Sequence, residues 1–494
     1  MTIIKNIKTY AKVHPNRVAV SDNDLFLTYS QLDNLSTNWA NFFIKQGLKK
    51  GCKVMICMRN SSLFLAVVAA LEKLDAVIIP INYQLLDKEV KELYIKYEVQ
   101  LLLTEEYFQD RFKDWEIPPQ YVENLDLTYS LKGNMEDLEL VEEYQNDSKM
   151  VFFTSGSTGK PKGIVVKKKS LNPTVLPDFL KEKPSIHLLV RPMFFRSHLT
   201  LAYNTILQGD TLVVSKSDDP RIIYQMIIQH GATQMTSGPS DLHDLIDFIE
   251  SSSKELPSVL REVMSTGRAM SEDLKKKLML YLPHCVIIDF YGTSEVGAIS
   301  SIDNSEWKYK KRSSGKPEFF IDIKIIDEEG HSLAPLEVGE ICVLSKYRME
   351  RYEFEAETTA DTFFNEYIRT GDMGYLDEEG YLFLLGRKKE VINRGGFYFY
   401  PSELENKLLE FKEIQQVAVL PIPHNKWGNL PAAFIVLEDT FKEINEHAFK
   451  ENVKKKLLTS LPPYKIPEHM IIINKLPVNL GGKLDKLKLL TLII

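Results

Sequence analysis

Cysteine is scarce in this chain, with four in 494 residues. Cys52, Cys57, Cys285 and Cys342 form neither a CxxC pair nor a cluster with histidine, which excludes a disulfide-stapled scaffold and a structural zinc site. Free thiols in apolar surroundings, in a reducing compartment, are the expectation. Positive charge is in deficit: 61 basic against 68 acidic residues leave a formal charge of −7. No global field exists to attract nucleic acid, so any anion must be held locally. Long apolar runs are missing as well. The longest near the start, residues 63–71, has nine residues, about half of a bilayer span. Residues 1–20 alternate charged and apolar side chains without the apolar core of a secretory signal, so a cytoplasmic protein with no stable membrane insertion is expected.

What is present is a globular composition, 44% hydrophobic and 26% charged. At about 100–200 residues per domain the length predicts several packing units. Apolar spacing predicts a helix over 30–45 behind a Ser30 cap, a strand over 53–58, a helix over 61–74 and a buried strand over 76–81. Residues 104–149 are acidic and weakly periodic, and Pro118 and Pro119 argue for irregular chain. Strand patterns at 188–190, 211–214 and 286–290 alternate with helical ones at 220–230 and 271–281, as in a doubly wound sheet. Short strands and turns over 322–343 suggest a small β unit. Beyond Gly386, helices over 401–411 and 446–460 and strands over 417–421 and 433–437 suggest a separate α+β domain. The fold class expected is α/β: a large N-terminal domain of layered α/β subdomains plus a small β unit, then a small α+β C-terminal domain.

The most informative segment follows the apolar run 150–153. Thr154, Ser155, Gly156, Ser157, Thr158, Gly159, Lys160, Pro161, Lys162 and Gly163 combine glycines for tight turns, four hydroxyls and two lysines. That chemistry suits a polyphosphate. The usual GxxxxGK[ST] pattern is absent, because Pro161 follows Lys160 and cannot donate an N–H.

This string resembles the signature loop of the adenylate-forming superfamily, which comprises acyl-CoA synthetases, peptide-synthetase adenylation domains and luciferases. Six further segments stand in that family's order, so that with the loop the resemblance spans more than three hundred residues. Ser265 to Met270, with Gly267, Arg268 and Ala269, resembles the loop lining the adenine pocket. Asp289 to Glu295 (DFYGTSE) resembles the YGxTE motif. Arg369 to Asp372 resembles the TGD motif, Gly386 and Arg387 the opening of the hinge, Asn393 to Gly396 the turn after it, and Gly481 to Lys483 the terminal lysine motif. In character the chain is similar to AMP-forming acyl-CoA synthetases.

The resemblance implies that a carboxylic acid attacks the α-phosphorus of ATP and that a thiol then displaces AMP. Coenzyme A, or the phosphopantetheine of an acyl or peptidyl carrier protein, would supply the thiol. Residues 1–386 would bind nucleotide and acid, and residues 387–494 would be a mobile lid. It further implies that Thr154 to Gly159 and Lys162 hold the β- and γ-phosphates. Tyr291 would stack on adenine beside Gly292 and Thr293, Ser294 would meet the α-phosphate, and Glu295 would ligate Mg²⁺. Asp372, read as lying in a tight turn between strands, and Arg387 would grip the ribose. Lys483 would catalyse adenylation, Lys389 would be the hinge, and Gly395 and Gly396 would line the thiol channel.

Departures from the family pattern bear on the acid. Phe195 stands where a PxFH histidine is usual, Ser294 where threonine is usual, and the stretch 397–400 is unusually aromatic. Phe195, Arg196, His198, Ser237 and Gly238 are the candidates for the acid pocket. Arg196 there is either a receptor for a second carboxylate or a polar substrate tail, or an arginine at the surface. No acid precedes Asp210 in that region, which disfavours an α-amino acid substrate. A non-catalytic adenylate-binding protein and a luciferase-like oxygenase are the alternatives of other kinds.

Overall fold

The computed structural model describes residues 3–115, 119–125, 149–154, 161–171, 182–478 and 483–493. Ser155, Gly156, Ser157, Thr158 and Gly159 therefore lie outside the described residues, as do Gly481 and Gly482. Among the described residues, two large sheets share one core. The nine-stranded sheet runs Lys316–Pro317, Gly297–Asp303, Val286–Thr293, Glu262–Ser265, Gln234–Ser237, Ile186–Leu189, Thr211–Val214, Val18–Ser21, Phe26–Thr28. The seven-stranded sheet carries Lys149–Phe153 and Gly163–Lys167 beside the parallel strands Val77–Pro80, Lys53–Cys57 and Leu101–Thr104.

Helices Tyr29–Lys45 and Ser62–Lys73 fill the space between the sheets. Tyr29, Leu32, Leu35, Trp39 and Phe43 recur at helical spacing and are all buried. The cap of the first helix is Thr28 rather than the expected Ser30: Gln31 N donates to Thr28 Oγ1 at 3.2 Å, and Thr28 N donates to Gln31 Oε1 at 2.9 Å. This reciprocal capping box satisfies two backbone donors at once. The second helix is buried on nearly every side, including Lys73, whose ammonium reaches Asp33 Oδ1 at 2.6 Å.

The small β unit is an antiparallel sheet of Ile321–Ile326, Gly339–Ser345, Tyr367–Leu376 and Phe363–Phe364, with Leu382–Arg387 added alongside. It extends well beyond the expected 322–343. Asp372 lies inside the strand Tyr367–Leu376, not in a turn between strands. Gly371 at φ +71 and a register shift between Met373 and Gly374 bend that strand, which explains why its sequence reads as a turn. The C-terminal residues form a second small sheet with its own core, in which Ile392, Leu404, Ile435 and Phe449 are buried. No described helix is long and apolar enough to cross a membrane.

In the large sheet, the chain leaves Ile186–Leu189 first toward Thr211–Val214 and then returns to its other side with Gln234–Ser237. The carboxyl ends of parallel strands at such a reversal form a crevice. Residues 190–198, 237–240 and 265–270 all emerge there.

Candidate active site

The strands Lys149–Phe153 and Gly163–Lys167 pair antiparallel, with Phe153 opposite Gly163. Thr154 N donates to Lys162 O at 3.0 Å, so the two ends of the glycine-rich segment are pinned together. Lys162 Nζ reaches Thr358 Oγ1 at 3.4 Å and stands 5.5 Å over the Tyr352 ring.

Glu295, Asp372, Arg387 and Lys483, from separate regions, share one electrostatic neighbourhood, which Tyr352 links to Lys162 through its hydroxyl on Glu295 and its ring. Arg387 Nε meets Asp372 Oδ1 at 2.8 Å, and Arg387 Nη1 donates to Thr370 O at 3.0 Å. The second oxygen of Asp372 accepts the Tyr291 hydroxyl at 2.6 Å. Asp372 is thus fixed at both oxygens. Burial pushes its carboxyl above the usual value, while Arg387 and the Tyr291 bond pull the other way. Burial opposes the Arg387 charge, but Asp372, Tyr291 and Glu295 together hold it above the ordinary arginine value. Lys483 shares this field. Desolvation and the Arg387 charge lower its ammonium, opposed by Glu295 and Asp372.

Tyr291, Gly292 and Thr293 belong to the strand Val286–Thr293, which turns back into Gly297–Asp303. A Cβ at Gly292 would stand 2.4 Å from Gly297 O, so only glycine fits this close approach. Ser294 and Glu295 occupy the turn that follows. Arg196 donates through Nη1 to Ser294 O and through Nη2 to Tyr347 O, and Met349 N donates to Glu295 O at 2.6 Å. Glu295 Oε1 accepts the Tyr352 hydroxyl at 2.7 Å, and among the described residues Oε2 accepts no hydrogen bond.

A hard carboxylate oxygen that accepts no hydrogen bond among the described residues fits Mg²⁺, which takes one or two carboxylates together with phosphate oxygens and water.

The acid-pocket candidates divide by role. Arg196 is 4% exposed and its two terminal nitrogens are spent on backbone carbonyls, so it braces the Ser294–Glu295 turn. His198 is buried, with Nδ1 3.2 Å from Pro192 O and Nε2 3.3 Å from Thr266 Oγ1. Desolvation, aided by the Arg191 charge, pushes its pKa down to about 3, so the ring is neutral. Phe195 stacks edge-on against it at 5.8 Å. Ser237 Oγ and Gly238 N both donate to Asp241 Oδ2, at 2.6 and 3.0 Å.

Asp241 also pairs with Arg191 at 2.6 Å, both nearly fully buried. Neither was singled out in the sequence, because no local spacing links residue 191 to residue 241. Gly267 takes φ +102, and Met270 N donates to Asp289 Oδ2 at 3.1 Å, which fixes the loop carrying Arg268 and Ala269. The Nε of Arg268 is buried without a hydrogen-bond partner. Desolvation and Arg191 lower its pKa, against Asp241 and Asp244.

Lys389 is exposed in the single turn Lys388–Glu390 that follows Arg387. Gly395 and Gly396 have φ of +64 and +89 on an exposed turn, where Gly395 N donates to Trp427 O at 2.8 Å.

The AMP-binding enzyme family matches residues 7–353, and the AMP-binding enzyme C-terminal domain matches residues 403–483. The chain belongs to the AMP-binding enzyme family. An acyl–CoA ligase, YhfT, of Bacillus subtilis (strain 168) is 28% identical to this AMP-binding enzyme, covering 98% of this chain and 97% of its own length. A 2-succinylbenzoate–CoA ligase of Listeria monocytogenes is 27% identical, over 94% of this chain and 93% of that protein. Among solved structures, o-succinylbenzoate CoA synthetase (MenE) from Bacillus subtilis, in complex with the acyl-adenylate intermediate OSB-AMP, superposes with a TM-score of 0.82 at 25% identity, covering 98% and 97% of the two chains. The same synthetase in complex with ATP and magnesium ion gives 0.81 at 25% identity, covering 97% and 98%. The expected superfamily, the α/β fold with large and small domains, and the acid–thiol ligase class stand with these matches.

Proposed function

We propose that this AMP-binding enzyme activates a small carboxylic acid with ATP and passes the acyl group to coenzyme A. The observation that carries this reading is the meeting of Glu295, Asp372, Arg387 and Lys483 in one field, joined to Lys162 through Tyr352. A binder has no need of the terminal lysine. Asp372, held by Tyr291 and Arg387, presents its carboxylate to the ribose hydroxyls. Lys483 is drawn to the α-phosphate and the attacking carboxylate, where its charge offsets that developing in the transition state. Thr154 to Gly159 and Lys162 hold the leaving pyrophosphate. Mg²⁺ held by Glu295 would neutralise charge on the phosphate oxygens.

The second step belongs to a rotation about Lys389 of residues 387–494 on the body 1–386, bringing Gly395 and Gly396 to the thiol's path. Coenzyme A is favoured over a carrier-bound phosphopantetheine by the names of the two relatives given above, both CoA ligases. For the acid, Arg268 with its buried Nε beside the Arg191–Asp241 pair supports a substrate bearing a second polar or anionic group. The absence of a membrane-crossing helix among the described residues is in keeping with a cytoplasmic enzyme.

Incubating the purified protein with ATP, Mg²⁺, coenzyme A and a panel of mono- and dicarboxylic acids tests the reading. Acid-dependent release of AMP with thioester formation is expected. Release of ADP, or AMP release indifferent to coenzyme A, would refute it.

A further inference from the structure

Two parts of the site, the glycine-rich loop and the Glu295 turn, lie on different sheets, and one segment reaches both. The short strand Arg351–Tyr352 pairs antiparallel with Gly163–Lys167, the strand that leaves the loop, with Tyr352 opposite Ile164. Glu350 N donates to Val165 O at 2.8 Å and Glu353 N to Gly163 O at 2.7 Å, so the segment is stitched to that strand on either side of Tyr352. Its other edge grips the Glu295 turn, through Met349 N to Glu295 O and through Arg196, which bridges Ser294 O and Tyr347 O.

Tyr352 stands where the two connections meet. The residue is 9% exposed, and its amide donates to Thr359 Oγ1 at 3.0 Å. Its hydroxyl donates to Glu295 Oε1 at 2.7 Å, while its ring lies 5.5 Å beneath the Lys162 ammonium. A glutamate has three rotatable bonds, and ordering them costs entropy that a ligand must otherwise supply. A phenol bonded to one oxygen restrains the carboxylate's rotamer, while Oε2, which accepts no hydrogen bond among the described residues, is left for a cation. Partners of this kind, bonded to a ligating group rather than to the metal, tune affinity by roughly 10–100-fold.

We propose that Tyr352 is a positioning residue that fixes the Glu295 carboxylate for Mg²⁺ through its hydroxyl and seats Lys162 through its ring, so that the metal side and the polyphosphate side of the site are built as one unit. The inference rests on the functional reading of Glu295 and Lys162 given above. It adds a residue that makes no contact with substrate in that reading.

The test is calorimetric titration of ATP into the full-length protein, with and without Mg²⁺, for the wild type, Tyr352→Phe, Glu295→Gln and the double variant. Phenylalanine keeps the ring and removes only the hydroxyl. Tyr352→Phe is expected to weaken binding of Mg·ATP about tenfold and to raise the Mg²⁺ concentration for half-maximal activity by a similar factor. Binding of Mg²⁺-free ATP, which also reports that the variant is folded, and the KM for the acid should stay within about twofold. The double variant should lose no more than Glu295→Gln alone, because the hydroxyl acts through that carboxylate. Unchanged Mg·ATP binding, an equal loss without Mg²⁺, or additive losses in the double variant would overturn the proposal. If Tyr352→Phe does not fold, Tyr352→His, which keeps a ring and an N–H donor, must recover Mg²⁺-dependent binding for the proposal to stand. A wild type whose ATP affinity ignores Mg²⁺ would instead refute the functional reading on which it rests.

Discussion

Arg196 shows how much a residue's neighbours decide its work. As a sequence feature it could have been a receptor for a second substrate carboxylate. In the fold, both terminal nitrogens bond to backbone carbonyls across the Ser294–Glu295 turn, and burial lowers its pKa to about 10. Hydrogen bonds from a charged donor contribute about 1.5–3 kcal/mol each, so Arg196→Ala should destabilise the protein by about 3 kcal/mol or more in chemical denaturation. The preference among acids should not change. Asp372→Asn should weaken nucleotide binding by about tenfold, since it removes the charge that Arg387 and Tyr291 orient. Lys483, Glu295, Asp372 and Arg387 are legible from short motifs because each motif is a backbone device as well as a functional one. Tyr352, Arg191 and Asp241 carry no such mark. Their roles arise from pairings across 57, 50 and 50 residues of separation, which only the fold creates.

At the scale of elements, periodicity placed the buried helices and parallel strands well and their ends less well. The helix is capped at Thr28, two residues before the expected Ser30, because the capping box is completed by Gln31, a side chain in its first turn. Asp372 reads as a turn because Gly371 and Gly374 flank it, yet register with Gly339 and Arg387 keeps the segment in a sheet. Gly292→Ala would drive a methyl group into Gly297 O and should cost about 1–3 kcal/mol, measured as a lower denaturant midpoint.

In the C-terminal domain, Glu405 accepts Val419 N at 2.8 Å beneath the strand Ile414–His424. Burial raises its pKa from 4.5 to about 7, so the folded form holds this proton more tightly than the unfolded one. The resulting contribution to stability is full below about pH 4.5, falls as pH rises toward 7, and is flat beyond. Glu405→Gln should remove that slope, so the difference in melting temperature between variant and wild type should grow in the variant's favour from pH 5 to 7.

Across the whole molecule, Lys483 near the C-terminal end of the chain lies in the field of Glu295, Asp372 and Arg387. Lys475 Nζ meets Asp244 Oδ2 at 2.5 Å and ties the small domain to the large one in this arrangement, although both side chains are exposed enough for salt to screen the pair. Gly395 and Gly396 sit on an exposed turn here, and on the proposed reading they reach the thiol's path only when residues 387–494 turn on the body. Lys389→Pro should therefore spare acid-dependent pyrophosphate exchange and slow thioester formation; an equal loss in both assays would contradict a hinge at this position. The scarcity of positive charge noted in the sequence is consistent with a local site. On the proposed reading, anion binding is concentrated in one loop, Arg387 and Lys483 rather than spread over a basic face.

The most direct measurement of the central claim is acid-dependent exchange of labelled pyrophosphate into ATP, run on the wild type and Lys483→Ala with a broad panel of carboxylic acids and no thiol present. The account predicts exchange with at least one acid, a loss of about a hundredfold or more in Lys483→Ala, and nearly unchanged Mg·ATP binding by that variant. Exchange that depends on no acid, or that survives the loss of Lys483, would contradict it.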